Sequence, residues 1–149
     1  TDAEAKRSAA DLSGDDFIAF STWKWIEAHR ATSGQPVYRY RFDQAPPAAN
    51  GGPGEGGAYH SAEIEFVFNV LKSKPLPWHA EDFTLSDQMF TYWSNFAKTG
   101  NPNGAGLPNW PVFEKSAGFP VMHLKTSPEV KPEEHRDRYE FLDSLKAKK

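Results

Sequence analysis

Only two stretches of this chain read as β-strand, and they lie far apart. In VYRYRFD, 37–43, Tyr38, Tyr40 and Phe42 alternate with Val37, Arg39 and Arg41 at the period of a strand. FPVMHLK, 119–125, is a second, shorter candidate. Two strands cannot satisfy their edges or hide both faces without neighbours, so the chain reads as the end of a larger α/β sheet, incomplete on its own. Composition points the same way: 38% hydrophobic residues in 149 is lean for a self-contained domain. With 14% aromatic residues, including five Trp and eleven Phe, large rings must form the core.

The rest is helix and loop. Thr1 and Glu4 stand at capping-box spacing before AEAKRSAADL, a weak helix. A stronger one is predicted over GDDFIAFSTWKWIEAHRAT, with Ser13 as N-cap, Asp15 and Asp16 at its positive end and Ser33-Gly34 as the stop. Phe17, Phe20, Trp23 and Trp25 crowd it from several sides, which predicts burial on more than one face. From Asp43 to Ala58, DQAPPAANGGPGEGGA cannot form regular structure, and a loop of that length is functional or disordered. His60 closes it.

Ile64, Val67, Phe68 and Leu71 then recur at i, i+3, i+4 and i+7, one face of a helix ending before Lys74-Pro75. Thr84 with Asp87 makes a capping-box-like start to LSDQMFTYWSNFAKT, whose Leu85, Met89, Tyr92, Trp93 and Phe96 form an apolar stripe stopped at Gly100-Asn101-Pro102. Pro132 with Glu133 and Glu134 opens a final helix running toward Lys146, Lys148 and Lys149.

Several functions are excluded. A net charge of −3 offers no footprint for phosphate backbones, so no nucleic acid is expected. The absence of cysteine removes disulfides, thiolate nucleophiles and sulfur-ligated metals. His29, His60, His79, His123 and His135 are scattered, with no metal-ligand spacing beyond His60 and Glu63, so no metal or cofactor is expected. No apolar run is long enough for a bilayer, and TDAEAKRSAADLSGDD has no initiating Met or signal-like region, so the chain reads as soluble and truncated.

His60 is the candidate catalytic residue. A histidine between a Gly-rich loop and a helix start can meet a nucleophile as general base while the helix fixes its footing. The segment GAYHSAEIEFVF resembles the catalytic-histidine segment of the type-B carboxylesterases, the family of the cholinesterases and bacterial para-nitrobenzyl esterases. Their motif G-x-x-H-[GS]-x-E-I-x-[FY]-V-F is filled by Gly57, His60, Ser61, Glu63, Ile64, Phe66, Val67 and Phe68. GDDFIAFSTWKWIEAH, PVYRYRFD, LSDQMFTYWSNFAKTGNPN, NWPVF and HRDRYEFLDSL are similar to the family's C-terminal segments in their usual order, so the resemblance runs from about Asp11 to Leu145.

The resemblance implies the C-terminal portion of an α/β-hydrolase fold, late sheet strands plus flanking helices, with residues 1–149 one segment of a single catalytic domain. It implies a Ser-His-Glu triad, of which only His60 maps here. A nucleophile elbow needs G-x-S-x-G, and the nearest serine, Ser116 in EKSAG, lacks the first glycine. By generic spacing Asp15, Asp16, Glu27, Asp43 or Glu55 could supply the acid; by family resemblance none does, and both missing members precede His60. Glu63 reads either as a capping carboxylate reaching back to loop amides or as a solvated helix charge, and Ser61 as a local hydrogen-bonding residue.

The expected partners are a small-molecule ester and the N-terminal portion of the same enzyme. The chain alone is expected to be inactive and, through unpaired strand edges and apolar faces, to self-associate. The other reading is an esterase-like fold without activity that serves binding or adhesion. Lack of cysteine favours a bacterial enzyme over a disulfide-rich animal cholinesterase; the resemblance is compatible with a secreted or periplasmic location, while the composition leaves the compartment open.

Overall fold

The computed structural model describes residues 1–52, 54 and 57–146. In chain order it contains α1 (Asp2–Gly14), a π-helical turn (Asp15–Ala19), α2 (Phe20–Ser33), β1 (Tyr40–Phe42), α3 (Ile64–Val67), a 3-10 turn (Leu71–Ser73), α4 (Ala80–Thr99), a second 3-10 turn (Lys115–Ala117), β2 (Pro120–Leu124), β3 (Glu129–Pro132) and α5 (Arg136–Lys146). These form two compact units: Thr1–Val37 with the chain from Glu133 onward, and Tyr38–Pro132.

In the first unit α1, the π turn and α2 follow one another without a break. The Thr1–Glu4 capping box opens α1 as expected, but the helix is 13 residues long rather than marginal. Ser13 is not an N-cap. The Asp15 N–H donates to the carbonyls of Asp11 and Leu12, so no orphan donors arise there for a cap to serve. Gly34 at φ 63° stops α2, the left-handed position a glycine takes without strain.

The aromatic residues of this helix divide. Phe20 and Trp23 are buried, with Tyr139 of α5 set 5.9 Å from Trp23 between ring centroids. Phe17 and Trp25 are 71% and 76% exposed, so among the described residues burial is on one side, not several. Charge pairs flank the contact: Arg138 reaches Asp15 at 2.6 Å, Lys24 reaches Asp143 at 2.8 Å, and Arg136 holds both carboxylate oxygens of Glu27 at 3.2 Å. Burial works against the Glu27 charge, but the hydrogen bond and charge of Arg136, with Arg30, outweigh it and hold its pKa below the ordinary value.

The second unit is built on a three-stranded sheet of order β1-β2-β3. β1 runs parallel to β2, placing Tyr40 opposite Met122 and Phe42 opposite Leu124, and β3 is antiparallel on the other edge of β2. The two strands expected from sequence thus pair with each other directly. β2, the central strand, is buried along its whole length, as a strand flanked on both edges and covered by other elements must be. β3 was not expected: Pro132 ends this strand instead of opening the last helix, which begins at Arg136. A proline is tolerated there because the strand is at the edge of the sheet.

α4 begins at Ala80, before the expected Thr84 start, because the Asp82 carboxylate accepts the His79 N–H at 2.9 Å while the Thr84 hydroxyl donates back to the Ala80 carbonyl. Its stripe Leu85, Met89 and Tyr92 is buried with Met122 and Leu124, each such side chain contributing about 1.5–3 kcal/mol. Trp110 anchors the aromatic part of this core. It meets Tyr92 edge-on at 5.2 Å, donates from Nε1 to the Arg39 carbonyl at 3.1 Å, and exchanges backbone hydrogen bonds with the Asn103 amide. No helix among the described residues is long and apolar enough to cross a membrane.

Candidate active site

The loop leading to His60 is built, not merely unstructured. Asp43 N–H donates to the Leu124 carbonyl at 2.9 Å, carrying the β1–β2 ladder one residue into the loop. Pro46 and Pro47 are buried. Ala48 and Gly52 close a tight turn at 2.8 Å, with Gly51 at φ 81°. Gly54 then packs so closely on Pro46 that a Cβ would stand 2.4 Å from its carbonyl oxygen, an approach that only glycine permits. Glu55, one of the acid candidates, lies outside the described residues.

His60 occupies the corner of a turn. Ala62 N–H donates to the Tyr59 carbonyl at 3.0 Å, which makes Tyr59 to Ala62 a four-residue turn with His60 and Ser61 at its centre. Ser61 has φ 72°, the left-handed conformation that type II turns require at that place. This gives a physical reason for glycine as the alternative after the histidine: the position needs positive φ. The His60 side chain is exposed, whereas Ala62 and Phe66 just beyond it are fully buried. The imidazole therefore projects from a corner whose downstream side is locked into the core.

The helix after His60 is shorter than expected. α3 ends at Val67, Asn69 turns left-handed at φ 55°, and Leu71 reaches the core through a 3-10 turn. Because one helix does not run through to Leu71, the expected face does not exist: Ile64 and Phe68 are 45% and 66% exposed, while Ala62, Phe66 and Leu71 are buried. Asn tolerates the left-handed region better than other non-glycine residues, and it was the local signal for this break.

Among the described residues, the carboxylates that spacing allowed as triad acids are paired with other groups. Asp15 pairs with Arg138, Asp16 with Lys146 at 3.7 Å, and Glu27 with Arg136, all inside the first unit. Asp43 lies 2.6 Å from Nδ1 of the buried His123 and 2.9 Å from Nε of Arg41. The described residues thus hold a histidine–carboxylate pair, formed by a histidine that no motif singles out; its position in the middle of an apolar strand is the sequence signal for it. Glu63 bears on Tyr40, whose phenol is pushed up in pKa by burial first and by the Glu63 charge second. Lys74 ties down the other side of α3 through a 2.7 Å bond to Glu65. Among the described residues no group of three or more His, Asp or Glu could hold a metal ion.

Known proteins resemble this chain over most of its length. The model of the carboxylesterase family matches residues 1–142. Carboxylesterase 4A of Bos taurus is 38% identical over 121 residues, 81% of this chain and 22% of that protein. Among solved structures, a thermophilic PNB esterase superposes with a TM-score of 0.60 at 28% identity, over 72% of this chain and 22% of the other. The carboxylesterase of Geobacillus stearothermophilus does so with a TM-score of 0.57 at 28% identity, over 74% and 22%. The chain spans about a fifth of the length of the curated relatives it matches. Its helices and small mixed sheet are part of the α/β-hydrolase fold of those esterases, and the chain belongs to the carboxylesterase family.

Proposed function

We propose that residues 1–149 are the C-terminal part of a single serine carboxylesterase domain acting on small carboxylic esters, and that His60 is its general base. The observation that carries this reading is the placement of His60: an exposed imidazole at the corner of a turn, followed by the left-handed Ser61 and by fully buried Ala62 and Phe66. Such a site presents a base outward with little freedom on its downstream side.

A serine hydroxyl on a preceding segment attacks the ester carbonyl, and His60 takes the hydroxyl proton as the bond forms. The tetrahedral oxyanion is held by backbone amides; on its collapse His60 gives the proton to the departing alkoxide, leaving an acyl-enzyme. Water then attacks the acyl carbonyl, His60 takes its proton and returns it to the serine, and the acid is released. A carboxylate on the same preceding segment orients the ring, as the resemblance implies; among the described candidates, Asp15, Asp16, Glu27 and Asp43 are each paired with other groups.

The test is hydrolysis of 4-nitrophenyl esters by the intact enzyme that carries this segment. His60→Ala is expected to lower kcat by about 10⁴-fold or more with little change in melting temperature, as loss of a triad member does. Undiminished turnover would refute the assignment and favour a binding function for the fold.

A further inference from the structure

Both ends of the His60 loop are held by one face of one helix. Asp82 and Ser86 stand at i and i+4 on α4, one above the other, and are 1% and 0% exposed. Asp82 Oδ1 accepts from Gln44 Nε2 at 2.8 Å, where the loop leaves the sheet. One helical turn later, the Ser86 hydroxyl donates to the Phe66 carbonyl at 2.9 Å, in the helix where the loop has returned.

Neither bond is incidental. A buried carboxylate is costly unless its oxygens are bonded, and Asp82 uses both, Oδ2 for the His79 N–H and Oδ1 for Gln44. One group therefore caps α4 and anchors the loop. Gln44 is itself gripped twice, since its Oε1 accepts the Thr126 N–H at 3.2 Å just after β2. A serine within a helix commonly bonds back to its own preceding turn, but Ser86 reaches across to α3 instead. Its hydroxyl has Asn69 Oδ1 as a second acceptor at 3.0 Å, and the Asn69 amide is oriented by the bond from Nδ2 to Asp87 Oδ1 at 2.9 Å. With one proton to share between Phe66 and Asn69, the hydroxyl ties down the end of α3 at both places.

We propose that Asp82 and Ser86 are positioning residues that clamp the departure and the return of the His60 loop, and so set where the imidazole stands. The proposal rests on the reading of His60 as general base. Acyl transfer demands close placement of base and nucleophile, so a shift in the clamp is felt in the chemical step more than in substrate binding.

The experiment compares Ser86→Ala, Ser86→Thr and Gln44→Ala with the unmodified intact esterase on 4-nitrophenyl acetate, following melting temperature in parallel. Ser86→Ala and Gln44→Ala are each expected to lower kcat about tenfold, since misplacement of about 1 Å can cost more than that. KM should stay within about twofold, and Ser86→Thr, which retains the hydroxyl, should recover most of the lost kcat. Gln44 is only half-buried, so Gln44→Ala keeps the test open if Ser86→Ala does not fold. A folded Gln44→Ala or Ser86→Ala with unchanged kcat overturns the clamp. His60→Ala in the same series separates the two failures: if it is inactive while the clamp variants are fully active, only the clamp falls; if it is active, both readings fall.

Discussion

Nδ1 of His123 lies 2.6 Å from Oδ2 of Asp43, across the parallel pairing of β1 and β2. His123 is buried on the central strand, and Asp43 is the residue at which the His60 loop departs. A buried imidazole needs a hydrogen-bond partner, and the Asp43 carboxylate stands where it can accept a hydrogen bond from Nδ1. The pair therefore fastens the start of the loop to the most enclosed strand of the sheet.

Asp43→Ala removes that acceptor and leaves a buried polar ring to be satisfied otherwise. It is expected to destabilise the protein by about 1.5–3 kcal/mol, the range for a hydrogen bond to a charged group, in urea unfolding of the intact enzyme. A double-mutant cycle with His123→Ala should give a coupling energy of about 1 kcal/mol or more; strict additivity would mean that the contact contributes nothing.

Ser61 makes a different prediction. A left-handed conformation costs an L-residue about 1–2 kcal/mol, and glycine escapes most of it while losing about 0.5–1 kcal/mol through its freer unfolded chain. Ser61→Gly should leave stability unchanged or raise it by up to about 1 kcal/mol, with esterase activity retained. Ser61→Val, β-branched at positive φ, should lower both melting temperature and kcat. A Val variant as stable and active as the Gly variant would show that the turn does not need this backbone.

Gly54→Ala tests whether the loop must fold back on itself. The added Cβ meets the Pro46 carbonyl oxygen at 2.4 Å, so the backbone must open. The expected loss is about 1–3 kcal/mol, as for overpacking elsewhere, read as a lower melting temperature and faster proteolysis within the loop. An unchanged cleavage pattern would show that the contact is dispensable.

The Glu27–Arg136 pair carries a pH dependence. The folded pKa of Glu27 lies below its ordinary value of 4.5, so the stability it contributes is fully present above 4.5 and is lost as pH falls through the folded value. Acid unfolding of the α2–α5 contact should be shallower in Glu27→Gln, followed by Trp fluorescence with Trp23 as the buried reporter. Identical acid transitions in the two proteins would remove Glu27 from the account.

The features legible in the sequence were those with a local cause. Gly34 and Gly100 stop their helices at φ 63° and 74°, as their positions after apolar stripes indicated. Tyr40 to Phe42 and Pro120 to Leu124 are strands, as alternation and β-propensity required. His60, singled out by its motif, stands at the expected loop-to-helix junction. What escaped depends on contacts made at a distance. β3 exists because β2 offers it an edge, and EVKP alone carries too little pattern to be recognised. The α3 face failed because Asn69 interrupts the helix and then bonds to Asp87 on α4. The partners of His123, Asp82 and Ser86 lie 80, 38 and 20 residues away in the chain, a separation that no period in the sequence encodes.

The π turn at Asp15–Ala19 has a bearing on how the first helix tolerates change. A π turn accommodates one residue more than an α turn, and each residue advances an α-helix by about 100°. Because the wider turn takes up that extra residue, deleting a single residue there would let the rod become uniformly α-helical from end to end while α1 keeps nearly the same facing. The same deletion within α1 or α2 would instead roll everything before it by about 100°. The π turn is therefore a slack link, a place where the rod can change length without turning α1 about its axis.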